Sequence, residues 1–529
     1  MSLISVKDLT FSYDTSYENI FDHVSFQLDT DWKLGLIGRN GRGKTTFLKL
    51  LSGEYQFQGT INAVVSFDYF PFEIENIGLN TIDIIKNTIA PFQVWEQEME
   101  ECLKLQEDAA ALERYGIILE LYQAHDGYTI EELIRKELGR LKVELSVLER
   151  PFSTLSFGER TKVMLAALFL KKNNFLLIDE PTNHLDMEGR ETLAVYLATK
   201  KSFILVSHDR AFLDQCIDHV LTINRIDIEV FRGNYTTWQQ NKERQDQYEL
   251  EKNEQLKKEI TELEAAARQA AGWSDQVEAS KIGTHAADRG AIGHKAAKMM
   301  KRAKGIESRK LEAIDEKKGL LKNIEQAVEL KMNLLSFPNK RLIEAEDLSL
   351  YYSGRRITSG IRLSLRAGDR IAVKGRNGAG KSTLFKLLLG EEISYTGSFS
   401  AAPGLKLSYV SQDTSWLSGR LEAFALRYGL NETVFKTVLR HLDFDRNQFD
   451  KDIGEFSAGQ KKKVLLAKSL SEPAHVFLWD EPLNYIDVIS RIQLEEMILE
   501  YQPTMIFIEH DRVFTERIAT AEVYLTAME

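Results

Sequence analysis

The chain has 529 residues, room for two to four domains, and its 43% hydrophobic content is ample for well-packed cores. Its 68 basic against 79 acidic side chains leave a net charge of −11, so composition does not mark a nucleic-acid binder and any basic surface must be local. Cys102 and Cys216 stand far apart without a partner motif, which argues against a disulfide framework or a zinc site and fits a reducing cytosol; no apolar run reaches the roughly 18 residues of a membrane helix, and the start MSLISVKDLTFSY lacks the regions of a signal peptide.

In chain order, an apolar strand LGLI leads into GRNGRGKT, Gly38 to Thr45, which matches G-x-x-x-x-G-K-[ST] and is followed by the helix-like run FLKLL. In such a loop the backbone N–H groups of Gly38, Arg39, Asn40, Gly41, Arg42 and Gly43 face phosphate at a helix N-terminus. Lys44 reaches the outer phosphates, Thr45 ligates magnesium and Thr46 continues the turn. A helical stretch of about residues 73–155 follows, within which WEQEMEECLKLQEDAAALERYGIILELYQAHDGYTIEELIRKELGRL reads as amphipathic helix. LSFGE then places Ser156, Gly158 and Glu159 at a helix start, where a serine by itself is an ordinary cap. The strand FLLIDEP ends in Asp179, where a magnesium-binding carboxylate is needed, and Glu180, placed to orient or deprotonate a water; VSHDR follows with His208.

From about Asn241 to Lys331 the composition shifts to helix formers with heptad-like spacing and no proline. The reading is two antiparallel helices of roughly 30 to 37 residues, reaching roughly 45 to 55 Å, with a tip at about 272–293. Ala271 to Lys310 holds six Lys and three Arg against four acids, a local +5, leaving −16 on the rest. On a projecting hairpin this charge points to RNA phosphates, with Lys281, Arg289, His294, Lys295, Lys298, Lys301, Arg302 and Arg309 as the contacts. A solvated helix face would give the same run of charge.

The motif set then repeats. GRNGAGKS, Gly375 to Ser382, supplies Gly375, Arg376, Asn377, Gly378, Ala379, Gly380, Lys381 and the magnesium ligand Ser382, with Thr383 next. FSAGQ supplies Ser457, Gly459 and Gln460; VFLWDEP supplies Asp480 and Glu481; IEHDR supplies His510. Ser156 to Ser457 and Asp179 to Asp480 are each 301 residues apart and His208 to His510 is 302, so one domain occurs twice.

These residues resemble the ATP-binding cassette superfamily: phosphate loop, signature, acid pair with its loop (PTNHLD, PLNYID) and switch histidine. The resemblance implies an α/β fold of two P-loop cassettes, 1–240 and 332–529, joined by the helical hairpin 241–331. It also implies head-to-tail pairing within one monomeric chain. Site one then joins Lys44, Asp179, Glu180 and His208 to Ser457 and Gly459; site two joins Lys381, Asp480, Glu481 and His510 to Ser156 and Gly158; ATP and magnesium are the cofactors. Tyr13 and Tyr352 occupy the place of the family's adenine-stacking aromatic, and Gln412 that of its magnesium-contacting glutamine. The copies differ: Phe72 stands where Gln412 would, leaving Glu73 as a substitute, and Phe157, Leu483 and Tyr485 depart from the pattern, so unequal sites are expected. From Phe72 to Ser156 is 84 positions and from Gln412 to Ser457 is 45, so the first helical subdomain carries 39 extra residues.

Two cassettes without a membrane domain, joined by a charged helical linker, resemble the ABC-F translation factors, and GAIGHKAAKMMKRAK with WDEPLNYID and IEHDR looks like their antibiotic-resistance members of the Lsa and Vga type. The resemblance implies a cytoplasmic, ribosome-associated ATPase. Such a factor enters the exit site, contacts 23S rRNA and the P-site tRNA through its linker, and protects the peptidyl-transferase centre from lincosamides, pleuromutilins and streptogramins A. The chain ends at Glu529, soon after the second switch region, so ribosome contact is expected from elsewhere than a C-terminal extension. The competing readings are a housekeeping ABC-F translation factor, the ATPase subunit of a drug exporter, and a nucleic-acid maintenance ATPase.

Overall fold

The computed structural model describes residues 3–13, 19–104, 109–183, 185–223, 228–279, 330–352, 354–444 and 448–526. They fall into two compact units, Met1–Thr236 with Ala327–Glu529, and Thr237–Gln326.

In the first copy β1 (Leu3–Phe11) pairs antiparallel with β2 (Phe21–Asp29). After β3 (Lys33–Ile37) and α1 (Lys44–Leu51) comes β4 (Gln58–Asn62), which completes a three-stranded sheet of order β2-β1-β4. β5 (Ser66–Phe70) leads into the helical subdomain of α2 (Thr81–Ile89), α3 (Phe92–Lys104), α4 (Ala109–Ala124) and α5 (Ile130–Arg140), and α6 (Phe157–Leu170) returns to the sheet. Among the described residues the amphipathic stretch is three helices, α3 to α5, with a turn at 125–129 between the last two. β6 (Asn174–Asp179), α7 (Met187–Ala198), β7 (Phe203–Val206), α8 (Arg210–Cys216), β8 (His219–Ile223) and β9 (Ile228–Arg232) complete a six-stranded sheet of order β5-β6-β7-β3-β8-β9. Its strands are parallel apart from β9. β6 and β7 are buried on both faces, as their unbroken apolar runs FLLI and FILV require. Phe47, Leu48 and Leu51 of α1 pack between the two sheets, so the phosphate loop is anchored in the core.

α9 (Tyr235–Ala279) is one helix of 45 residues. It is already under way before Asn241 and continues through Gly272, where a turn was expected. Glutamine-to-glutamate hydrogen bonds one turn apart line it, Gln239 to Glu243 at 2.8 Å and Gln247 to Glu251 at 3.1 Å, and a single glycine costs such a helix only about 1 kcal/mol. The rest of the expected tip and the second helix of the hairpin lie outside the described residues.

The second copy repeats the plan. β10 (Arg341–Tyr352) and β11 (Arg355–Arg366) pair antiparallel, followed by β12 (Arg370–Lys374), α10 (Lys381–Leu388), β13 (Ser394–Ala401) and β14 (Leu407–Val410). Among the described residues between β14 and α13 (Ala458–Ser471) the α-helices are α11 (Leu421–Arg427) and α12 (Glu432–His441), so the 39-residue excess of the first copy corresponds to α3 and α4 with their connections. β15 (Val476–Asp480), α14 (Val488–Tyr501), β16 (Met505–Ile508), α15 (Arg512–Ile518) and β17 (Ala521–Tyr524) complete a parallel sheet of order β14-β15-β16-β12-β17. In both copies the site elements leave the carboxyl ends of parallel strands, where ligands of open α/β sheets bind.

Candidate functional site

The two phosphate loops are built alike. Gly43 and Gly380 cap α1 and α10 in the left-handed region, both at φ 87°, and a Cβ on Gly43 would stand 2.6 Å from Cγ2 of Ile20, so any other residue there would be strained and would displace Ile20. Lys44 is buried and its ammonium donates to the carbonyls of Gly38 (2.7 Å) and Arg39 (3.1 Å) and to Oδ1 of Asn40 (3.3 Å). Lys381 donates to the carbonyls of Gly375 (2.7 Å) and Arg376 (3.3 Å). Burial lowers the proton affinity of both lysines; Asp487, Glu180 and Asp179 oppose it at Lys44, and Glu481, Asp186 and Asp480 at Lys381.

Each loop meets an acid pair. Thr45 Oγ1 donates to Asp179 Oδ2 at 2.8 Å, and the Ser382 hydroxyl bonds Asp480 in the same way. Glu180 and Glu481 hold left-handed backbone, φ 49° and 46°, which non-glycine residues seldom adopt outside functional turns. His208 Nε2 lies 3.4 Å from Glu180 Oε1 and His510 Nε2 lies 3.5 Å from Glu481 Oε1. Buried Arg–Asp pairs hold both switch loops, Arg190 to Asp209 at 3.0 Å and Arg491 to Asp511 at 2.9 Å.

The two glutamates differ in surroundings. Burial and the adjacent Asp179 push Glu180 up to about 8. At Glu481 burial is outweighed by the neighbouring His510 imidazole, by the Lys462 ammonium and by a hydrogen bond from Asn484 Nδ2 at 2.6 Å, and the carboxyl falls to about 2. Gln412 Nε2 also donates to Glu481 Oε2 at 2.9 Å. Strand register makes Phe72 the counterpart of Gln412, since Phe70 pairs with Ile178 and Val410 with Trp479. Phe72 is half-buried and Glu73 exposed. From β5 the Tyr69 hydroxyl reaches the first acid pair, donating to Asp179 Oδ2 at 3.0 Å beside Thr45.

The first phosphate loop faces the second copy: Asn40 Nδ2 donates to the Tyr485 carbonyl at 2.8 Å, and a Cβ on Gly459 would stand 2.8 Å from that same oxygen. Across the second pairing lies a cavity of about 1170 Å³ lined by Ser156, Gly158 and Glu159 on one side and by Arg376 through Thr383, Gln412, Glu481 and His510 on the other. Ser156 and Ser457 each cap their helix through a capping box with Glu159 and Gln460. Tyr352 is 54% exposed and lines the cavity. Tyr13 is held edge-on to Tyr55 at 5.8 Å and by a 2.8 Å hydrogen bond to Thr46. Phe157, 67% exposed, also lines the cavity. The eight expected RNA contacts, Lys281 to Arg309, lie outside the described residues.

These sites suit ATP with magnesium. Glu180 Oε1 is buried without a hydrogen-bond partner, the kind of acceptor a positioned water satisfies. Among the described residues no cluster of three His, Cys, Asp or Glu side chains stands ready for a metal, so a cation here relies on one hydroxyl, one carboxylate and the phosphates, as magnesium commonly does. Magnesium would neutralise charge on the phosphates; Thr45 with Asp179 and Ser382 with Asp480 would hold it, and each site places a carboxylate beside a histidine. Sequence reasoning missed Tyr69, Lys462 and the Arg–Asp pairs. Tyr69 and Tyr409 fall at the same place in both copies, which was the available signal.

A sequence model of the ABC transporter family matches residues 21–183 and 358–484. The chain is 27% identical to the ribosome protection protein VmlR of Bacillus subtilis, over 97% of its own length and 85% of that protein. It is also 27% identical to the energy-dependent translational throttle protein EttA of Escherichia coli, over 95% and 88%. The structure of the archaeal ribosome recycling factor aABCE1, solved with the ribosomal stalk protein aP1, shares its fold with a TM-score of 0.59 at 17% identity, covering 98% of this chain and 90% of that one. No helix among the described residues is long and apolar enough to cross a membrane. The two matched stretches cover more than half of the chain, and each contains a phosphate loop and an acid pair: the protein belongs to the ABC transporter family and carries its ATPase domain twice.

Proposed function

We propose that this chain is an ABC-F ATPase that acts on the ribosome in the cytoplasm, protecting it from drugs of the peptidyl-transferase centre such as lincosamides, pleuromutilins and streptogramins A. The observation that carries this reading is similarity to a ribosome protection protein that runs through both ATPase domains and the segment between them. In it, each nucleotide is clasped between one phosphate loop and the other copy's signature serine, Glu180 and Glu481 activate water, and the basic run from Lys281 to Arg309 meets rRNA and the P-site tRNA from the exit site. Changing Glu180 and Glu481 together to Gln should lower ATP turnover by roughly 100-fold or more while ATP still binds. The ATP-loaded variant should then co-sediment with ribosomes, and unchanged sedimentation with ATP bound would sink the reading. Similarity to EttA favours a second, a translation factor without drug specificity. Drug susceptibility of a deletion strain separates the two: hypersensitivity fits protection, an unaltered profile fits the general factor.

A further inference from the structure

Lys462 lies five residues past Ser457, about 7.5 Å along α13 at 1.5 Å per residue. It is 2% exposed, and its ammonium donates to two backbone carbonyls, Ser411 at 2.8 Å and Asp480 at 3.0 Å. These are the residues immediately before Gln412 and Glu481, which are themselves joined at 2.9 Å. A buried ammonium keeps its acceptors or forfeits its desolvation energy, so this one nitrogen pins the glutamine loop and the end of β15 to α13. In the first copy the equivalent of Lys462 is Thr161, one turn after Ser156. A threonine hydroxyl stands at the γ position, three bonds short of a lysine ammonium, and cannot span the same gap.

Ser457 at the head of α13 faces the first phosphate loop through Gly459 and Tyr485, whereas Lys462 on the same helix holds groups of the second site. We propose that Lys462 is a positioning residue for hydrolysis at the second site, tying the signature helix of site one to Gln412 and Glu481, and that the first copy, with Thr161, has no such tie in the opposite direction. The inference rests on the site assignments above and not on the ribosomal reading.

The test is K462M, which keeps the unbranched stem short of its last atom and removes the charge, measured in two backgrounds. With E180Q only site two turns over, and with E481Q only site one. Turnover of E180Q that disappears on adding E481Q checks the site assignments independently of Lys462. K462M should lower kcat about tenfold in the E180Q background, the scale of one charge-assisted hydrogen bond, with KM unchanged. In the E481Q background kcat should fall no more than twofold, which also shows that the variant folds. Nucleotide-dependent emission of Trp416, beside the glutamine loop, obtained by difference from W416F, should shrink in K462M. Equal losses in both backgrounds, a change in KM alone, or no loss in either would overturn the proposal.

Discussion

Glu180 and Glu481 sit at φ 49° and 46°, where a β-carbon is a liability. A residue chosen for its carboxylate is kept in a conformation that glycine adopts more readily. Glu481→Gly should therefore be more stable than Glu481→Ala by about 1 kcal/mol in denaturant titrations, while both lose turnover at the second site. Equal stabilities would mean that the turn carries no strain. Asp487 is a second buried acid with a measurable signature. Burial raises its proton affinity, but Lys463 at 3.5 Å and the Ser490 N–H at 2.9 Å more than reverse this, and it ends at about 2. Its folded pKa lies below the unfolded value near 3.9, so its stabilisation is present above about pH 4 and is lost as pH falls toward 2. Asp487→Asn should cost on the order of 2 kcal/mol at neutral pH, and the difference from wild type should close in acid melts between pH 4 and 2. The phosphate loops and acid pairs were legible as strings because local backbone and nearby side chains make them. Lys462 was not, since KKK after a helix start reads as a solvated face until the fold brings Ser411 and Asp480 to it.

Among the elements, α9 shows where sequence reading places a boundary too early. Gly272 and the loss of apolar period after it pointed to a turn, yet the helix runs to Ala279, because one glycine is a small debit in a stretch without proline. Gly272→Ala should strengthen this helix by about 1 kcal/mol, seen as slower hydrogen exchange at amides of neighbouring residues; unchanged exchange would mean that Gly272 does not limit it. The extra helices α3 and α4 were visible as 39 residues of surplus and as amphipathic pattern. Their division into separate helices was less legible, because it depends on packing such as the 2.7 Å hydrogen bond from Tyr122 to Glu96.

Across the whole ATPase unit, the two copies are joined by a charge cluster that neither half announces. Glu495 on α14 is fully buried and bonded to Arg210 of the first copy, with Arg517 at 2.9 Å on its other oxygen. Removing the carboxylate strands a buried guanidinium, so Glu495→Ala should cost roughly 3 to 5 kcal/mol in thermal or denaturant unfolding, and Arg210→Met with Glu495→Met together should cost less than the sum of the two single changes. Additive losses would show that the residues do not act as a pair. The bond from Asn40 to Tyr485 spans 445 residues of chain. At ~5–20 residues per second of synthesis, the first phosphate loop waits roughly 20 to 90 s after emerging before its partner exists. The first domain has its own sheets to fold around in that interval, but the contact between the two copies stays unassembled, so a nascent chain meets ATP with only half of that site until the segment around Tyr485 has emerged.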